Sequence, residues 1–182
     1  MVNQLVTSGC KFNSCISQSR ESGFLKVIGI SIVLLSAGFV FNFVWEALHG
    51  VYLYQDHDVR ASQYVPMLVY VSGMDALLIL GLYGWIALLW LDPFWTRNPG
   101  VIRMLAFILS GIILAAAIEY RSVYVLNRWA YLPAMPTIFG IGISPLLQLA
   151  VTGCLSAASI RCMWHRKDLR QKNIDSSKRN FK

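Results

Sequence analysis

Four apolar blocks decide what this chain can fold into. Phe24–Leu48, Pro66–Leu91, Val101–Ile118 and Thr137–Ile160 each approach the ~20 residues that a helix needs to cross about 30 Å of hydrocarbon. The first is interrupted mainly by Ser31, Ser36 and Asn42. The second carries a single acid, Asp75, before its final turn, and the fourth carries no charge. The third has Arg103 in its first turn, where a long aliphatic stem lets the guanidinium reach the interface. In water four such helices would expose sticky surfaces. In lipid each helix satisfies its own backbone hydrogen bonds. Only 14% of the 182 residues are charged, against roughly 25% in soluble domains, which argues against an aqueous globule.

The expected fold is therefore all-α, an integral membrane four-helix bundle. Its transmembrane domain covers 24–160, with spans at about 24–48, 66–91, 101–120 and 137–160. A polar segment precedes it at 1–23 and a basic tail follows at 161–182. The first block starts too late and runs too long for a signal peptide, and it continues into "WEALHG" rather than a small-residue cleavage site. It reads as a retained helix.

Sixteen Lys and Arg raise the question of nucleic acid, but their placement answers it differently. Lys11, Arg20 and Lys26 precede or open the first span. Arg97 and Arg103 follow the second, and the eight others on that side begin at Arg161. With four crossings all of these share one side, leaving Arg60, Arg121 and Arg128 on the other. That is the positive-inside pattern, with both termini cytoplasmic. It points to the bacterial cytoplasmic (inner) membrane, no nucleic-acid partner, and a tail that meets anionic lipid headgroups. The four cysteines show no CxxC or Cys/His zinc spacing. No metal and no cofactor are expected.

Polar residues inside the spans mark the candidate site. Asn42, Glu46 and His49 fall at i, i+4 and i+7, on one helical face. Asp75 lies near mid-depth, where a carboxylate costs on the order of 3 kcal/mol even on permissive insertion scales. It must pair, protonate or meet water. Glu119 ends the third span, and Gln148 sits well inside the fourth. Pro145, just before it, is expected to kink that helix and free a carbonyl. Gly140, Ser144, Gln148, Thr152 and Ser156 form an i+4 line suited to close packing. The expected geometry is a funnel open to the outside. Asp75 and Gln148 form its floor, with Glu46, His49 and Glu119 at the rim and Arg121 and Arg128 above. Tyr120, Tyr124, Trp129 and Tyr131 read as headgroup-level rings, and Trp85, Trp90 and Trp95 as their counterparts at the opposite interface.

The segments "NFVWEALHGVYLY" and "NRWAYLPAMPTIFGIGISPLLQL" resemble a set of small bacterial polytopic membrane proteins. In these a Trp–Glu pair ends the first helix and a Pro-Leu-x-Gln element sits in the last. The matching positions are Trp45, Glu46, Met135, Pro136, Pro145, Leu146 and Gln148. The resemblance implies a membrane class and no particular reaction. Three functions remain open on sequence grounds. The first is a pocket for a small or lipid-like ligand on the outer side, with or without acid–base chemistry. The second is a non-enzymatic structural or assembly subunit in which Asp75 locks helices or a membrane partner. The third is a small homo-oligomeric transporter.

Overall fold

The computed structural model describes residues 2–54 and 60–180, with the backbone alone for 2–22, 51, 171, 175 and 177–180. The acidic connection at 55–59 lies outside the described residues. Four long helices dominate: α1 (Val2–Leu53), α2 (Ala61–Leu89), α3 (Gly100–Tyr120) and α4 (Ile143–Asn180). A stretch long and apolar enough to cross a membrane runs along each: Gly23–Gly50, Ala61–Leu89, Gly100–Val125, which continues past the end of α3, and Ile143–Ile174. The chain divides into two compact units, Met1–Ile32 and Val33–Lys182. All that follows concerns the second.

Small residues let the helices approach. A methyl group built on Gly38 of α1 would lie 3.4 Å from the Cα of Ala76 on α2. One on Gly111 of α3 would lie 3.5 Å from the backbone nitrogen of Ala150 on α4. Backbones this close gain dispersion contacts that larger side chains would prevent, the usual basis of helix association between apolar segments. Outward-facing positions are the opposite: Val40, Val44, Leu77, Ile113 and Leu155 are large, apolar and exposed.

The connection from α2 to α3 is tight. Leu91 adopts φ 50, and the Asp92 carboxylate accepts the Phe94 amide at 2.9 Å, an Asx turn that stops the helix. Trp95 is buried, with its ring 5.7 Å from Tyr83 and 5.6 Å from Phe107. Its indole N–H donates to the Tyr83 carbonyl at 3.3 Å. The sequence placed Trp95 among the interfacial rings, but the turn folds it inward as core. Trp85 and Trp90 keep more of their surface exposed.

The start of α4 also differs from expectation. Residues 137–142 form a two-stranded hairpin, β1 (Thr137–Ile138) against β2 (Ile141–Gly142), with Ile138 paired to Ile141. Its two turn residues, Phe139 and Gly140, both have positive φ (52 and 79), the geometry that matches strand twist. The Gly140 carbonyl accepts the Tyr124 hydroxyl at 2.7 Å. The helix therefore begins at Ile143, and Pro145 lies in its first turn. There its missing N–H has no intrahelical partner to lose. Pro145 helps start α4 and does not kink it. Gln148 is then one turn and a half into the helix rather than three. At the other end α4 runs on to Asn180, so the basic segment after Arg161 is largely helical.

Candidate functional site

The polar face of α1 meets α2 and α4 at one amide. Gln148 Nε2 donates to Glu46 Oε1 at 2.7 Å, to Asp75 Oδ2 at 2.8 Å and to Asn42 Oδ1 at 3.2 Å. Three acceptors thus share two amide hydrogens. Asn42 is fixed from behind: its Nδ2 donates to the Gly38 carbonyl at 2.8 Å, one helical turn back. That turns its oxygen toward α4, where Thr152 Oγ1 also donates to it at 3.1 Å. The Thr152 hydroxyl lies 2.7 Å from the Gln148 carbonyl as well. Asn42, Gln148 and Thr152 are buried, while Glu46 and Asp75 keep partial exposure.

Helical spacing explains the assembly. Gly38 allows α1 to reach α2, and Asn42 and Glu46 follow on the same face at i+4 and i+8. Gln148 and Thr152 are i and i+4 on α4, so one face supplies both donors. His49 continues the α1 stripe. Its Nδ1 lies 3.1 Å from the Trp45 carbonyl, which makes that nitrogen the N–H, and 3.9 Å from Glu46 Oε2.

A second cluster surrounds Glu119. Tyr54 donates to Oε1 at 3.0 Å, while Tyr131 at 2.5 Å and the Trp129 indole at 3.3 Å donate to Oε2. The backbone brings these residues together. Tyr54 bridges Tyr131, and the Leu132 amide donates to the Leu53 carbonyl at 2.9 Å. Rings tie the two clusters to each other, with Tyr54 at 5.3 Å from His49, 6.1 Å from Trp129 and 5.6 Å from Tyr131 between centroids. Burial, and then the adjacent Glu119 carboxylate, push the Tyr54 hydroxyl far above the ordinary tyrosine range. Burial and the hydrogen bond to Glu119 do the same for Tyr131. Both phenols are held as neutral donors.

Of the residues expected at the site, Asn42, Glu46, Asp75 and Gln148 are joined directly. His49 is adjacent through Glu46. Glu119 is not a rim residue: it is 6% exposed beneath an aromatic cover. Arg121 and Arg128 are exposed, and among the described residues neither forms an ion pair with a carboxylate. They stay out of the cluster because the chain winds on past Tyr120 in a wide turn, Arg121–Val125. Sequence reasoning missed Tyr54 and Thr152 as partners and set Trp129 and Tyr131 at the surface. Thr152 was visible as the i+4 neighbour of Gln148. The aromatic partners come from irregular chain, where no periodicity shows which way a ring turns.

No protein-family model, curated protein or solved structure matches this chain. What the site can do must come from its own chemistry. It presents three carboxylates, on α1, α2 and α3, and the hydrogen bonds they accept among the described residues come from Gln, Tyr and Trp donors. Among the described residues no group of three His, Cys, Asp or Glu side chains is arranged to hold a metal ion.

Proposed function

We propose that this chain is a multi-pass protein of the bacterial inner membrane, with cytoplasmic termini, that binds a small or lipid-like ligand bearing positive charge in a polar site on the outer side. One observation carries the reading. Glu46 and Asp75 converge on the uncharged Gln148 amide, and no described Lys or Arg pairs with either. Two carboxylates so close repel each other strongly in a medium of low dielectric. A proton on one of them, or a cation between them, relieves that repulsion; we take the cation. Among the described residues Asp75 Oδ1 accepts no hydrogen bond, and Glu46 Oε2 has only His49 Nδ1 at 3.9 Å, so both side chains have acceptor capacity left for a ligand. The charge distribution supports the orientation: Arg97, Arg103 and the run from Arg161 cluster at the end of α3 and α4 away from this site.

A second reading has its own support. The Gln148 amide ties α4 to α1 and α2, as an interhelical lock in a structural or assembly subunit would. Asp75→Asn separates the two, because an asparagine oxygen still accepts from Gln148 while the charge is gone. The full-length protein in uncharged detergent is titrated with ethanolamine and with a soluble short-chain phosphatidylethanolamine, and thermal unfolding is followed. Ligand binding predicts that the probe raises the wild-type Tm and leaves that of Asp75→Asn unmoved, with similar melting of the two ligand-free proteins. Failure of Asp75→Asn to fold supports the lock instead. A wild-type Tm indifferent to both probes removes the amine-binding proposal.

A further inference from the structure

The second preorganised feature lies at the opposite ends of α3 and α4. A groove of about 1300 Å³ opens between the α2–α3 turn and the α4 segment around Ala158–Asp168. Three guanidiniums line it, from Arg97, Arg103 and Arg161, with His165 beside them and two acids, Asp92 and Asp168. Arg103 is already committed to Asp92, at 2.7 Å. Arg97 and Arg161 form no ion pair among the described residues. Arg97 is instead held in place by stacking, its guanidinium carbon 4.5 Å from the centre of the Trp164 ring. Stacking on a ring face leaves the edge N–H groups of a guanidinium free for a planar or tetrahedral anion.

One further set of donors points to the same kind of ligand. The first turn of α3 also lines the groove, from Gly100 to Arg103, and its Pro99 cap offers no side-chain hydrogen bond to those amides. Such amides carry partial positive charge. Two apolar side chains of the lining, Val101 and Ile102, are among the most exposed of the described residues.

We propose that this groove is a binding site for a phosphate-bearing anion, gripped by Arg97 and Arg161 beside the first-turn amides of α3. The exposed apolar edge suits the phosphate of a phospholipid whose chains lie against α2 and α3. That source rests on the membrane reading above, whereas the phosphate chemistry of the groove does not. The site is independent of the carboxylate cluster, so failure of one leaves the other standing.

The test uses the full-length protein in uncharged detergent, titrated separately with a soluble short-chain phosphatidylglycerol and with inorganic phosphate. Arg97→Gln combined with Arg161→Gln is expected to weaken binding about tenfold or more, the scale of losing charge-assisted hydrogen bonds. Asp168→Asn should act with the opposite sign and tighten binding, because it removes a negative charge from the lining. Saturation by phosphatidylglycerol without competition from phosphate assigns a lipid headgroup. Competition by phosphate at similar concentration assigns a soluble phosphorylated ligand. Unchanged affinity in the double variant overturns the site, as does absence of binding by both titrants. If the double variant does not fold, Asp168→Asn decides alone: weaker or unchanged binding sinks the proposal.

Discussion

The two ends of α3 treat charge in opposite ways. At the C-terminal end Glu119 is buried and accepts three hydrogen bonds from uncharged groups, Tyr54, Tyr131 and Trp129. At the N-terminal end Arg103 meets Asp92 directly, and both side chains keep about a third of their surface open, 29% and 35%. The comparison teaches where the fold depends on its polar residues. Water can replace either partner of an exposed pair. It cannot easily replace a donor aimed at a buried acceptor, so the loss of that donor leaves the acceptor stranded.

The sharpest way to break this contrast is at Gln148. Gln148→Leu removes the donor shared by Asn42, Glu46 and Asp75 and strands acceptors on two helices. A loss of about 3 kcal/mol is expected, at the upper end for a buried unsatisfied group because more than one acceptor is affected. Arg103→Gln, which breaks the exposed pair, should cost about 0.2–1 kcal/mol. Equilibrium unfolding of both variants in mixed detergent micelles measures the ratio. Equal losses would show that the buried network is no more demanding than the surface pair.

A smaller effect is expected at Glu119. Glu119→Gln keeps size and shape but replaces one acceptor oxygen with an NH₂ group that faces donors. The Tyr131 and Trp129 donors, or else Tyr54, then meet a hydrogen instead of a lone pair. The expected cost is about 1–3 kcal/mol. Quenching or shift of the tryptophan fluorescence should accompany it, since Trp129 loses its acceptor. Wild-type stability and an unchanged spectrum would mean that the aromatic cover does not depend on the carboxylate.

The same contrast shows what could be read from the sequence. Regular helix carried its information in period and length. The four apolar stretches were legible because about twenty apolar residues in a row have few alternatives. Asn42, Glu46 and Gln148 were legible because a 3.6-residue period puts them on defined faces. Irregular chain carried no such code. The short hairpin at 137–142 was hidden inside an apolar run, and it moved the start of α4 and with it the role of Pro145. Trp95 went inward and Trp129 turned to Glu119 because of turns, not because of composition. An aromatic ring near the end of a span fits both an interface and a core, and only its partners decide.

The finest probe of the buried end is its tyrosines. Tyr54 and Tyr131 have hydroxyls raised above the ordinary value near 10. A group whose folded-state pKa is raised contributes its full stabilisation below the unfolded value and loses it as pH climbs toward the folded one. Wild-type stability should therefore fall above about pH 10, and Tyr54→Phe should flatten that fall. Absorbance reads the same point directly. The chain has 8 tyrosines, and the tyrosinate band of the folded protein near pH 11 should be equal in wild type and in Tyr54→Phe, because the hydroxyl removed was not ionised. A band smaller by one residue's share would mean that Tyr54 is wet and titrates normally. Glu119 would then not be enclosed by neutral donors, and the two ends of α3 would differ only in sign.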